Sequence, residues 1–185
     1  MVKGASSTKM EHVVKIIQNS GRSNYKNIMT QAKNLQTAQA LLNEKASGLD
    51  VAEETVTYRR VQGGQGNKSS QDRIVVDGDG NIFINKKGTN LNISIDNGEH
   101  AKYYVENKRP GADIVELEVP KWFDDFVKEN TVPQAGYQNN PASQGGTAPK
   151  LTAPTTPGVS IEFPEPWPEW IEENAVSIKV IKGGK

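Results

Sequence analysis

Eight of the ten prolines in this 185-residue chain lie between Pro133 and Pro168. Proline fixes φ and lacks an amide donor, so it breaks helices and is excluded from the interior of a sheet. Regular structure is therefore expected mainly before Val132. The proline-rich stretch also holds Gly136, Gly145, Gly146 and Gly158, and it reads as an extended arm rather than a sheet or helix. It turns apolar toward its end, at Ile161, Phe163, Trp167, Trp170 and Ile171. A disordered linker is poor in such residues, so the arm is expected to pack on the body. The closing Ser177-Ile178-Lys179-Val180-Ile181 alternates like an edge strand.

Ahead of the arm, hydrophobic periodicity changes once. Met10, Val13, Val14 and Ile17 share a helical face behind a capping-box spacing at Thr8–Glu11. Ile28, Ala32, Leu35, Ala38 and Leu42 form a second stripe that ends at Gly48, which predicts a helical pair over residues 1–48. From Thr55 the period becomes two. Strands are expected at about 55–61, 73–77, 81–85, 91–95 and 113–119. Asp77-Gly78-Asp79-Gly80-Asn81 joins two of them as a hairpin turn.

A short helix is expected after Asp96, with Ala101, Tyr104 and Val105 on one side. Another begins at Pro120, burying Trp122, Phe123, Phe126 and Val127 and leaving Asp124, Asp125 and Lys128 outside. The segment from Asp125 to Val132 is echoed from Glu169 to Val176, so two helices with the same apolar face are expected to dock alike. The fold class is α+β, with a mostly antiparallel sheet. The segments are a helical one (1–50), an α+β core (51–132) and the arm with a short helix and terminal strand (133–185).

Composition narrows the chemistry. There is no cysteine, which removes disulfides, thiolate nucleophiles and thiolate metal sites. The two histidines, His12 and His100, are too far apart for a zinc signature. Mean hydropathy is −0.64 and no apolar run is long enough to span a bilayer, so no membrane partner is expected. The first ten residues lack an apolar stretch and are not expected to act as a secretory signal. The 22 basic and 22 acidic residues balance, with the positive excess in the first 50 positions.

The polar candidates lie between Thr55 and Pro120. Asp77-x-Asp79-x-Asn81 imitates the start of a calcium loop, but Ile82 stands where that loop needs glycine, so a hairpin and no metal is expected. Gly63-Gly64-Gln65-Gly66-Asn67-Lys68 lacks the Gly-Lys step of a P-loop and reads as a loop beside a site. Arg59 and Arg60 are adjacent on a strand and point to opposite faces, Arg60 sharing its face with Tyr58. A strand arginine among apolar neighbours needs an anionic partner, either a carboxylate or a ligand phosphate. His100 lies within helical reach of Tyr103 and Tyr104, an acid/base arrangement that suits RNA cleavage as well as a structural role. Glu116 and Glu118 share one face of their strand.

In its order, this stretch resembles the core of ADP-ribosyltransferase-like toxin domains. The resemblance rests on Thr55-Val56-Thr57-Tyr58-Arg59-Arg60-Val61, on Asn92-Ile93-Ser94 leading into the helix with Ala101 and Tyr104, and on Ile114-Val115-Glu116-Leu117-Glu118. It implies that Arg59 or Arg60 holds NAD phosphate and that Ser94 supports the nicotinamide pocket. It also implies that Glu116 or Glu118 stabilises an oxocarbenium-like transition state, with Glu162 and Glu169 of the arm as alternatives. NAD would be the substrate, without a metal.

The whole chain resembles the C-terminal effector domains of polymorphic bacterial toxins of the contact-dependent inhibition and Rhs types. That implies a larger carrier toxin chain, a cognate immunity protein and action on a protein or RNA in the cytoplasm of a recipient cell. The runner-up is a metal-independent ribonuclease using His100, Tyr104 and either Arg59 or Lys102. A third reading is a non-enzymatic binding domain whose aromatic arm docks on a partner.

Overall fold

The computed structural model describes residues 54–65, 72–85, 88–95 and 97–184. The helical pair expected over residues 1–48, Asp96 and residues 66–71 of the glycine-rich loop lie outside them. In chain order the strands and helices are β1 (Thr55–Gln62), β2 (Ile74–Val76), β3 (Ile82–Ile84), β4 (Leu91–Ser94), α1 (Glu99–Asn107), β5 (Asp113–Pro120) and α2 (Lys121–Asn130). They continue with β6 (Val132–Pro133), β7 (Lys150–Thr152), β8 (Ser160–Phe163), α3 (Trp167–Asn174) and β9 (Ser177–Ile181). The chain is α+β, as its periodicity implies.

Seven strands form one sheet in the order β6-β7-β8-β4-β1-β5-β9. All neighbours are antiparallel except β6 and β7. β1 and β5 pair along their full length, Thr55 opposite Pro120 and Gln62 opposite Asp113. β1 and β4 pair only at Arg59 opposite Ser94. β2 and β3 make a separate hairpin, turned where the Asp77 carboxylate accepts the amides of Asp79 and Asn81.

Alternation along the strands sends Tyr58, Leu91, Ile93, Val115, Leu117, Val119, Ile161 and Phe163 to one buried face. α2 covers it with Phe123, Phe126 and Val127, and α3 with Trp167, Trp170 and Ile171. Their rings pack closely: Phe126 to Trp167 at 5.4 Å, Trp167 to Trp170 at 4.9 Å, and Phe163 to Trp167 at 6.4 Å. The Trp167 indole N–H donates to Thr147 O at 2.9 Å, so this buried ring leaves no donor unmade. The aromatic end of the arm is thus core, and the surface that partner docking would need is absent from it.

Three expectations change. The proline-rich segment does pack on the body with its expected short helix, α3, but it is not otherwise an extended arm: it also contributes the sheet strands β6, β7 and β8. Four of its prolines flank β7 and β8, while Pro133 is the last residue of the short edge strand β6 and Pro168 lies in the first turn of α3. Pro149 precedes β7 and Pro154 follows it, while Pro157 precedes β8 and Pro164 follows that. Secondly, Asp124 is fully buried rather than outside. It accepts from the Tyr58 hydroxyl at 3.3 Å and pairs with Lys128 at 2.6 Å. Burial and this carboxylate push the Tyr58 phenol well above its ordinary pKa, so it stays a neutral donor. Thirdly, Trp122 is half-buried rather than part of the core.

Candidate active site

The face of the sheet opposite the aromatic core is polar, and its side chains line up across strands. In one row, Thr152 of β7 stands opposite Ser160 of β8, Ser160 opposite Ser94 of β4, Ser94 opposite Arg59 of β1, and Arg59 opposite Glu116 of β5. In the next row, Lys150 faces Glu162 and Glu162 faces Asn92. α1 lies over this face. Its leading residue Gly98 has φ 100° and sits against the Arg59 guanidinium, where an added Cβ would meet it at 3.4 Å.

Between the rows and α1 lies a cavity of about 300 Å³. Arg59, Arg60, Asn92 and Ser94 line it from β1 and β4, and His100 and Tyr104 from α1. Thr152, Ser160 and Glu162 line it from β7 and β8, joined by Arg109 and Gln134. Its size is at the low end of the roughly 300–1,000 Å³ common for small-molecule sites.

Five of the residues singled out from sequence therefore come together: Arg59, Arg60, Ser94, His100 and Tyr104. Glu116 and Glu118 do not line the cavity. Glu116 lies beside it and takes the Arg59 Nε at 2.8 Å, both side chains being about four-fifths buried. Glu118 is exposed and accepts from the Ser177 hydroxyl. Lys102 is exposed and pairs with Glu106 at 3.9 Å. Glu169 belongs to α3, on the aromatic side of the sheet. Among the described residues the carboxylate that lines the cavity is Glu162, held by Lys150 at 2.6 Å and by the Asn90 amide at 2.9 Å.

The histidine is oriented. His100 is buried, and its Nδ1 is 2.9 Å from Pro157 O, a group that can only accept. Nδ1 must therefore carry the proton, which leaves Nε2 as the basic nitrogen of the neutral ring. The Tyr104 ring packs on the imidazole at 4.7 Å.

Arg60 is 8 % exposed. Its Nη1 donates to Asn92 O at 2.9 Å, beyond the point where β1 and β4 cease to pair. Its buried Nε has no hydrogen-bond partner among the described residues. Burial first, then the charges of Arg73 and Arg109, bring its pKa down to about 10.

Sequence reasoning missed Arg109, Gln134, Thr152 and Ser160, and it reached Glu162 only as an alternative. The available signal was the spacing Ser160-x-Glu162 on a short strand, which puts both residues on one face. Arg109 is brought in by a close approach of backbone. Gly64, at φ 76°, lies so near Ala112 that a Cβ would be 2.7 Å from its amide, and Gln65 N donates to Pro110 O at 3.0 Å.

Comparison with family models, with curated proteins and with solved structures finds no match. Among the described residues no helix is long and apolar enough to cross a membrane. No cluster of three or more acidic or histidine side chains among them could hold a metal ion.

Proposed function

We propose that this is the effector domain of a bacterial toxin that breaks the nicotinamide–ribose bond of NAD, passing ADP-ribose to a target or to water. One observation carries the reading: a carboxylate, Glu162, lines the same cavity as Arg59, Arg60 and Ser94. The chemistry needs that combination. As the bond to nicotinamide breaks, the electron pair leaves with the ring and positive charge grows on the ribose carbon. A fixed carboxylate stabilises that charge, and cationic donors hold the phosphates. An acceptor hydroxyl or water then bonds to the ribose carbon and gives up its proton to Glu162 or to His100, both of which line the cavity. Glu116 acts at one remove, by positioning Arg59. On this reading the domain is delivered by a larger carrier chain, and an immunity protein blocks the cavity in the producing cell.

The ribonuclease reading keeps one specific support, the fixed tautomer of His100 beside Tyr104. Purified protein incubated with NAD should release free nicotinamide, and Glu162→Gln should cut that release about 10²–10³-fold while His100→Ala reduces it less. No release, with tRNA cut in a His100-dependent way, would transfer the assignment to RNA cleavage.

A further inference from the structure

We infer that the open edge of the sheet, β9, pairs antiparallel with the β9 of a second copy of this chain. The two edges of the seven-stranded sheet differ. β6 is two residues long and ends at Pro133, which has no amide to offer a further strand. β9 is five residues long, contains no proline and runs in unbroken register with β5, from Ser177 opposite Glu118 to Ile181 opposite Ile114. Among the described residues no strand lies on its outer side, so every second amide and carbonyl along it faces outward, open to a partner strand. Half of the large exposed apolar side chains among the described residues, Val176, Val180 and Ile181, sit at this edge.

The pattern of β9 itself selects the occupant. Residues directly opposite in an antiparallel pair share a face of the sheet, so a two-fold axis between two β9 strands passes a residue that meets its own copy. An axis at Lys179 would set two lysines against each other, which is repulsive. An axis at Ile178 sets Ile178 against Ile178 and, twice by symmetry, Val176 against Val180. This extends the apolar face, because Ile178 and Val180 stand opposite the buried Leu117 and Val115. On the other face, Lys179 of each copy then meets Ser177 of the other. Ser177 stands opposite the exposed Glu118, whose carboxylate accepts from its hydroxyl at 2.8 Å. Lys179 of the second copy and Glu118 are two strand spacings apart, about 10 Å, a gap these long side chains close over the small serine. The edge is self-complementary in apolar pattern and in charge, as an interface between identical copies requires. One strand a side buries little area, so the dimer is a weak one that forms as concentration rises.

The test uses the full chain, whose lack of cysteine makes single-cysteine variants clean probes. Sedimentation velocity over a rising concentration series should show monomer giving way to dimer. Val180→Lys, at a 39 % exposed position, should weaken that association more than about tenfold and leave the melting temperature of the dilute protein unchanged. Val75→Lys, at a 40 % exposed position on the β2–β3 hairpin, should dimerise as the wild type does. Under a mild thiol oxidant, Ile178→Cys should cross-link to its own copy, since the axis brings the two positions within disulfide range. Ser177→Cys and Lys179→Cys should each cross-link poorly alone and well when mixed.

A chain that stays monomeric at every concentration would overturn the self-pairing and leave the edge to a strand of another protein. A dimer indifferent to Val180→Lys would overturn it as well, as would Ile178→Cys cross-linking no better than Val75→Cys. If Val180→Lys or Ile178→Cys does not fold, the mixture of Ser177→Cys with Lys179→Cys carries the test, because both positions are exposed. The pairing is independent of which reaction the cavity performs, so loss of the NAD reading would leave it standing.

Discussion

The two faces of the sheet are made by the same strands and behave as different materials. On one, Tyr58, Leu117 and Phe163 meet the tryptophans of α3, and the buried Tyr58 hydroxyl and Asp124 carboxylate bond to each other, with the exposed Lys128 pairing to Asp124 from outside. On the other, hydroxyls, Arg59 and carboxylates stand in cross-strand rows beside a cavity. The first face holds the fold together. The second keeps polar groups poised at a cost to stability, as binding and catalytic sites commonly do.

The comparison is tested most severely at Trp167. Trp167→Ala should lower stability by about 3–5 kcal/mol, seen as a shifted midpoint in denaturant with the slope unchanged. A loss under about 1 kcal/mol would mean that the aromatic face is not the structural one. Next comes Glu162→Gln, which should reduce nicotinamide release about 10²–10³-fold while leaving the denaturation midpoint near that of the wild type. If stability falls instead and activity persists, the polar face is structural too.

A smaller effect is expected from Tyr58→Phe, which removes one donor from the buried Asp124 and should cost about 1.5 kcal/mol. The smallest concerns Arg60. Its folded-state pKa of about 10 lies below its ordinary value, so the unfolded chain holds that proton more tightly. The penalty is complete at neutral pH and fades as pH rises through about 10. Arg60→Met removes that charge, so its Tm relative to the wild type should fall as pH rises above that value, and a constant gap would show that Arg60 is not penalised by burial.

Much of this architecture is legible in the amino acids. The alternation of Thr55–Gln62 and Asp113–Pro120, the Asp-Gly turn between β2 and β3, and the apolar stripe of α2 each rest on contacts a few residues apart. The proline-rich segment was misjudged where its density of breakers was averaged over the whole stretch. Four-residue strands such as Ser160–Phe163 fit between the prolines, and a window of that size carries too little periodicity to stand out. Asp124 was misplaced for a different reason. Helical periodicity shows which face is apolar but cannot show that a tyrosine from another strand reaches over to a carboxylate.

The sequence by itself determined the α+β class, the position of most elements, the exclusion of thiol chemistry and the presence of a strand with paired arginines. Those follow from local rules, period, turn chemistry and composition. Only the tertiary structure decided that Glu162 rather than Glu116 faces the cavity, that Arg109 joins Arg60, and that the aromatic arm is core. Each of these depends on which strands are neighbours and in what register. That is a property of pairings more than 40 residues apart, such as Asn92 with Glu162, which no local pattern records.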